Sequence, residues 1–137
     1  MVDLSKLKEI TEEIAREIKD EENGKILSFL KLILDNIDTL SLITDKDSKI
    51  LYFNKAESDY FKRFGITLHV GNFLYKDILG MDTSPDWCPI KKCIREKDVV
   101  TVEVDGKGPR KGHKFYITAI PLIFNGVSGA ILFTKID

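Results

Sequence analysis

The sequence predicts an α+β fold in which five antiparallel strands form one sheet, short helices cover one face, and an amphipathic helix comes first. Two observations support this prediction. Apolar residues recur with helical spacing before Asp38, whereas after it they alternate or cluster in short strand-like segments. Those segments form two groups on either side of an irregular middle, as expected for an antiparallel sheet curled around helices.

Composition limits the size and the partners of the protein. The chain has 137 residues, of which 43% are hydrophobic, and a formal net charge of −1. This suits one compact domain plus one appended element. Because basic and acidic residues are interleaved, we expect no nucleic-acid partner and no anionic membrane surface as partner. No apolar stretch resembles a spanning helix or a signal peptide, so we expect a cytoplasmic protein.

The N-terminal unit, residues 1–24, is predicted to be an amphipathic helix that ends at Asn23-Gly24. A compact domain over residues 25–137 need not cover its apolar stripe, so we expect a homodimer formed through this helix. The predicted dimer residues are Leu7, Ile10, Ile14 and Ile18. A second helix, residues 25–36, is apolar over more than half of its circumference and should contact both the sheet and a partner.

Two strands and a capped helix are predicted next. Residues 40–44 and 49–53 are strand-like and are joined by the turn formers at 45–48, which predicts a hairpin whose aspartates set the turn. Asn54 followed three residues later by Glu57 is the pattern of a capping box at the start of a short helix.

The second half of the chain contains further helices and three strands. We expect a helical turn at 74–79, a helix from 88 or 89 to 96, and strands at 100–104, 114–122 and 127–135. Asn125-Gly126 favours a two-residue type I′ turn between the last two strands. The glycine-rich residues 106–112 lack the features of a phosphate-binding loop and are predicted to be a solvated connection.

The order of these segments resembles the PAS superfamily of sensory domains over about residues 27–137. Residues 33–37 and 42–56, with Asn54-Lys55-Ala56 as helix cap, and residues 120–122 and 125–130 carry the resemblance. It implies a cup between sheet and helices, in which members of the family hold haem, flavin, carboxylic acids or nothing. It also implies a sensory module, not an enzyme, that signals to an output domain or partner protein.

No cofactor is assigned by the residues. Haem-binding members usually supply a histidine from the helix before the third strand, and residues 88–96 contain none. His69 either faces the cup or is structural, and His113 is expected to be solvated. Residues 71–74 contain no cysteine, which argues against photoactive flavin chemistry.

Alternation along the fourth strand selects the residues of the cup. Phe115, Ile117 and Ala119 share one face, and Lys114, which would be costly in an apolar cup, lies on the other. The first three are therefore predicted to bind the ligand together with residues from opposing elements, namely Phe53, Phe61, Ile78, Trp87 and Ile94. Because Ala119 is the smallest of these residues, the cavity is expected beside it.

The two cysteines, Cys88 and Cys93, suggest an alternative function. Their spacing places them on different sides of a helix, so we expect separate thiols and no metal site. Cys88 at a helix N-terminus, where a thiolate is favoured, is the candidate for a redox switch. The competing interpretation makes Cys88 a buried capping residue, with Trp87 and Cys93 in the core. A ligand-free protein-interaction module is the remaining alternative.

Overall fold

A computed structural model of the chain describes residues 4–9, 23–107, 110–124 and 127–137. Its elements, in chain order, are α1 (residues 4–9), α2 (Asn23–Leu34), β1 (Leu40–Asp45), β2 (Ile50–Phe53), α3 (Lys55–Lys62), a π-helical turn (Leu74–Ile78), α4 (Pro89–Glu96), β3 (Val100–Asp105), β4 (Lys114–Phe124) and β5 (Val127–Ile136).

The strands form one antiparallel sheet in the order β2-β1-β5-β4-β3, which confirms the predicted fold class. The central strand, β5, pairs with β1 between Leu40↔Thr134 and Asp45↔Gly129. It also pairs with β4 as far as Phe124↔Val127, which leaves two residues for the connecting turn. Asn125-Gly126, for which we predicted a type I′ turn, lies outside the described residues.

Apolar side chains form a separate core on each face of the sheet. On one face, Leu42, Ala119 and Leu132 pack with residues of α3, the π-helical turn and α4, and we call this cluster the cup-side core. On the other face α1 and α2 supply part of an outer core, whose buried members are Leu7, Leu30, Leu34, Ile43, Ile120, Leu122, Ile131 and Phe133. The sheet is therefore covered on both faces.

One local signal near the start of α2 differs from the prediction. Asn23-Gly24 was predicted to end a helix, but both residues are helical and belong to α2, while residues 10–22 lie outside the described residues. A glycine inside a helix costs only about 1 kcal/mol, whereas burying one leucine contributes about 1.5–3 kcal/mol. Leu30 and Leu34 are both buried, so α2 can include Gly24 at a modest cost.

The first hairpin closes through the side chain of Asp45. One carboxylate oxygen, Oδ1, accepts hydrogen bonds from the backbone N–H groups of Asp47 and Lys49, each at 2.9 Å. Ser48, in the same turn, has a φ of 67°. The Asp45 carboxylate therefore sets the turn geometry, as the sequence predicted, whereas Asp47 contributes its backbone N–H.

Asn54 caps α3 and also ties it to the sheet and to the end of α2. Its Oδ1 accepts from the N–H groups of Glu57 at 3.0 Å and Ser41 at 3.2 Å. Its Nδ2 donates to the carbonyls of Leu34 at 3.1 Å and Thr39 at 2.8 Å. The Asn54 N–H donates to the Ser41 carbonyl at 3.0 Å. The second half of the predicted capping box is therefore not formed, and the Glu57 carboxyl has no capping role.

Candidate ligand-binding cup

A cavity of about 210 Å³ lies between the sheet and the helices of the cup-side core. Aromatic rings form much of its wall: Tyr60, Phe61, Tyr75, Trp87 and Phe115. Aliphatic side chains, a proline and a methionine complete the apolar lining: Leu40, Leu42, Leu74, Leu79, Met81, Pro89, Val104, Ile117 and Leu132. A preformed apolar cavity with few polar groups is typical of a small-molecule site.

The structure brings half of the predicted cup residues to this cavity. Four of them line it: Phe61, Trp87, Phe115 and Ile117. The others belong to the same cup-side core without lining the cavity: Phe53, Ile78, Ile94 and Ala119. Ile120 lies in the outer core, so the predicted inward face of β4 has the right register.

The position of the cavity along β4 differs from the prediction. Ala119 was expected to leave room for a ligand, yet it is 0% exposed and does not line the cavity. It shares the cup-side core with Ile90 and Cys93 of α4, the helix that packs across β3, β4 and β5. The small side chain thus makes room for a helix. Ala119→Phe should destabilise this core instead of filling a cavity.

Glu57, on α3, is a polar residue of the cup that the sequence interpretation missed. Its side chain lines the cavity and the residue is only 3% exposed. Burial raises the pKa of its carboxyl from 4.5 to about 8. The described residues provide neither a hydrogen bond nor an ion pair to this carboxyl. Its spacing of four residues from Phe61, a predicted cup residue on the same helix, is the signal that could have identified it.

Two more polar residues, Tyr60 and Arg110, line the same cavity as Glu57. The buried hydroxyl of Tyr60 has no hydrogen-bond partner within the described residues. Burial raises the pKa of Tyr60, the charge of Arg110 opposes this shift, and the Glu57 carboxylate adds to it. The guanidinium carbon of Arg110 lies 5.7 Å from the centre of the Phe61 ring. The cup therefore combines an apolar wall with a carboxyl, a hydroxyl and a cation.

The thiols are buried next to the cup. Cys88 is the N-cap of α4, as predicted, and its Sγ accepts a hydrogen bond from the Tyr75 hydroxyl at 3.1 Å. Cys93 is 0% exposed and its thiol donates to the Ile90 carbonyl at 3.2 Å. Burial raises the pKa of Cys93 to about 12. Both cysteines are free. This arrangement agrees with the interpretation of Cys88 as a buried capping residue.

A maleimide should react slowly with both thiols in the folded protein and more slowly with Cys93 than with Cys88, since only a thiolate with access to solvent reacts and Cys88 is 3% exposed. Cys93 is fully buried and its pKa of about 12 leaves it protonated. The rates can be measured by mass spectrometry on Cys93→Ser and Cys88→Ser, each of which keeps one thiol. Equal rates under native conditions, with both thiols equally exposed after unfolding, would contradict this assignment.

Neither histidine lines the cup. His69 is exposed, which decides against the interpretation in which it faces the cavity. His113 was expected to be solvated, but it is half-buried, with its ring centre 6.3 Å from that of Phe64 and 6.2 Å from that of Phe115. In the part of the chain that the structure describes, no three His, Cys, Asp or Glu side chains are grouped to hold a metal ion. No helix in those same ranges is long and apolar enough to cross a membrane.

Solved sensory domains have the same arrangement of strands and helices. The PAS domain of BvgS from Bordetella pertussis aligns with a TM-score of 0.58 and 18% identity, over 79% of this chain and 83% of that one. The chain has the PAS fold. The PAS domain of nitrogen regulation protein NR(II) from Vibrio parahaemolyticus aligns with a TM-score of 0.56 and 20% identity, over 77% and 95% of the two chains. A sensory box sensor histidine kinase from Vibrio cholerae aligns with a TM-score of 0.55 and 14% identity, over 88% of this chain and 98% of that one.

A sequence comparison adds a different protein. Elongation factor 2 from Desulfurococcus amylolyticus is 32% identical over 127 residues, which cover 89% of this chain and 16% of that protein. The chain therefore spans about a sixth of this relative's length. No protein-family model matches the sequence. The PAS assignment accordingly rests on the fold.

Proposed function

We propose that the chain is a sensory signalling module whose PAS cup binds a small amphipathic molecule. The observation that carries this proposal is the aromatic-lined cavity of about 210 Å³ with a buried, unpartnered carboxyl in its wall. Sites for drug-sized ligands occupy roughly 300–1,000 Å³. A smaller molecule, with an apolar body and one polar end, fits the dimensions and the lining of the cup.

The sheet offers a path from the cup to the opposite face of the domain. Leu132 of β5 lines the cavity, whereas its neighbours Ile131 and Phe133 belong to the outer core. The same outer core contains Leu30 and Leu34 of α2. A ligand that displaces Leu132 would therefore alter the packing beneath α2, because interiors are close-packed and transmit strain. An output domain or partner protein that responds to α2 would receive the signal.

Trp87, the single tryptophan of the chain, allows this proposal to be tested. It lines the cup, with its ring centre 5.9 Å from that of Tyr75. A small molecule that enters the cup should change Trp87 fluorescence in a saturable way. Ile117→Phe should fill the cavity and weaken such binding at least about ten-fold.

Thr118→Phe is the matched control for the cup experiment, because Thr118 is the next residue of β4 and its side chain points away from the cup-side core. This variant should bind like the wild type. Equal binding by Ile117→Phe, Thr118→Phe and the wild type would place the ligand elsewhere and contradict the proposal.

We further propose that the N-terminal helices form a dimer. Of the four predicted residues, Leu7 is buried in the outer core of its own chain, and Ile10, Ile14 and Ile18 lie outside the described residues. Two residues of α2 support an additional contact, since Phe29 is 40% and Leu32 63% exposed.

Replacing Ile14 and Ile18 together by lysine should dissociate the dimer at micromolar concentration, as measured by light scattering, because charges replace the apolar stripe. Substitution is a cleaner test than a chain that begins at Lys25, since truncation also removes Leu7 from the outer core. Val70→Lys, at an exposed apolar residue of a loop, is the control. A wild-type monomer, or an unchanged dimer in the double variant, would refute the assignment.

A further inference from the structure

We infer that the molecule bound in the cup carries an organic ammonium group, which pairs with the carboxylate of Glu57 among the aromatic rings. This inference rests on the proposed function, because it assumes that the cup binds a ligand. It adds the chemical class of that ligand and the residue that selects it.

The first observation is the buried carboxyl itself. Glu57 is 3% exposed, lines the cavity and has no partner among the residues that the structure describes. Buried carboxyl groups are normally hydrogen-bonded or paired with a cation, since their desolvation is costly. In a capping box the Glu57 carboxyl would accept a hydrogen bond from the Asn54 N–H, but this N–H donates to the Ser41 carbonyl instead. A cationic ligand would supply the missing partner.

The second observation is the composition of the wall around Glu57. Tyr60 and Phe61 meet edge to face with ring centres 5.5 Å apart, and Tyr60 meets Phe115 in the same way at 6.1 Å. Faces of aromatic rings attract cations, and aromatic cages are the usual recognition site of alkylammonium groups. Arg110 already lies over the Phe61 ring, so the chain itself places a cation against this wall.

The remaining charged and titratable groups of the cavity do not neutralise Glu57. They are Tyr60, Tyr75, Asp105, Lys107 and Arg110. Burial raises the pKa of Tyr60 and of Tyr75, so both hydroxyls stay neutral. Asp105 and Lys107 are exposed and opposite in charge. Arg110 could attract an anion, but an anion would favour the protonated Glu57 carboxyl, so its affinity should fall as the pH rises, the opposite of what an ammonium ligand should show.

Ligand binding should be coupled to release of a proton. In the empty cup the Glu57 carboxyl has a pKa of about 8 and is largely protonated at neutral pH. A permanently charged ammonium ligand binds the ionised form, so its affinity should rise with pH and level off above pH 8. From pH 6 to pH 8 the ionised fraction, and with it the affinity, rises about fifty-fold.

Choline and its uncharged isostere 3,3-dimethylbutan-1-ol are suitable probes, titrated against the full chain by calorimetry and by Trp87 fluorescence between pH 6 and pH 9. Choline should bind at least about ten times more tightly than the alcohol at pH 8, and only choline should show the rise with pH. Glu57→Gln should abolish both the preference for choline over the alcohol and the rise of choline affinity with pH. Glu96→Gln, at an exposed position of α4, is the matched control and should behave like the wild type.

Equal affinity for choline and the alcohol, affinity that falls as pH rises, or no choline binding at about 10 mM would overturn the inference. The anion 3,3-dimethylbutanoate separates this failure from failure of the proposed function. If the alcohol or the anion binds and Ile117→Phe weakens that binding, the cup remains a ligand site and only the ammonium assignment falls. If no compound alters Trp87 fluorescence and the purified protein carries no ligand, both proposals fall.

Discussion

Replacing Asn54 by alanine should lower the free energy of unfolding by about 3–5 kcal/mol. The residue is 1% exposed, and its side chain makes hydrogen bonds to five backbone groups, those of Ser41, Glu57, Leu34, Ile37 and Thr39. Each buried group left without a partner costs about 1–3 kcal/mol, and loss of a helix N-cap costs about 1 kcal/mol. These terms are not additive, so the expected total lies below their sum.

Denaturant unfolding of Asn54→Ala and of Asn36→Ala measures this effect. Asn36 is exposed and its side chain donates a single hydrogen bond, to the Leu32 carbonyl at 2.7 Å. The control substitution should cost less than about 1 kcal/mol. A similarly small loss for Asn54→Ala would show that this residue does not join α2, β1 and α3 as described.

Replacing Glu57 by glutamine should remove a pH dependence of stability and stabilise the protein at pH 8. Below pH 4.5 the carboxyl is protonated in the folded and the unfolded chain. Between pH 4.5 and about 8, the range set by its raised pKa, the folded chain retains a proton that the unfolded chain has lost. Wild-type stability should therefore fall by up to about 1.4 kcal/mol per pH unit in this range.

The glutamine variant lacks this titration, so at pH 8 it should exceed the wild type by about 2–4 kcal/mol and near pH 4.5 the two should be nearly equal. Free energies of unfolding measured at pH 4.5, 6 and 8 give the comparison. Glu96→Gln should retain the wild-type slope, since Glu96 is exposed. A Glu57→Gln variant with the wild-type slope would mean that the carboxyl is ionised, or solvated, in the folded protein.

Most of the fold could be predicted because its signals are local. The turn residues at Asp45 and Asn125-Gly126 lie between strands that do pair, and the proline after Cys88 marks the start of α4. The Asn23-Gly24 pair was interpreted as a helix end, yet both residues belong to α2. A glycine costs a helix only about 1 kcal/mol, so this local signal is weak.

The site was predicted less completely than the fold. The alternation of β4 and the charge of Lys114 were enough to identify the inward face that contains Phe115 and Ile117. The position of the cavity along β4 depends on how α4 crosses the sheet. Because α4 packs at the Ala119 end of this face, the cavity lies at the other end. The role of Glu57 in the cup was missed because its carboxyl was expected to cap α3. The Asn54 N–H that it would bind donates instead to the Ser41 carbonyl of β1, a contact that the local sequence does not indicate.

Native mass spectrometry of freshly purified wild-type protein and of Ile117→Phe shows whether the cup holds a small molecule. The wild-type chain should carry an additional small mass that is lost on denaturation, or should acquire one from an added probe. Ile117→Phe should carry none, and Thr118→Phe should match the wild type. If the wild-type chain carries no added mass under any condition, or if Ile117→Phe retains the same mass, the cup is not the ligand site.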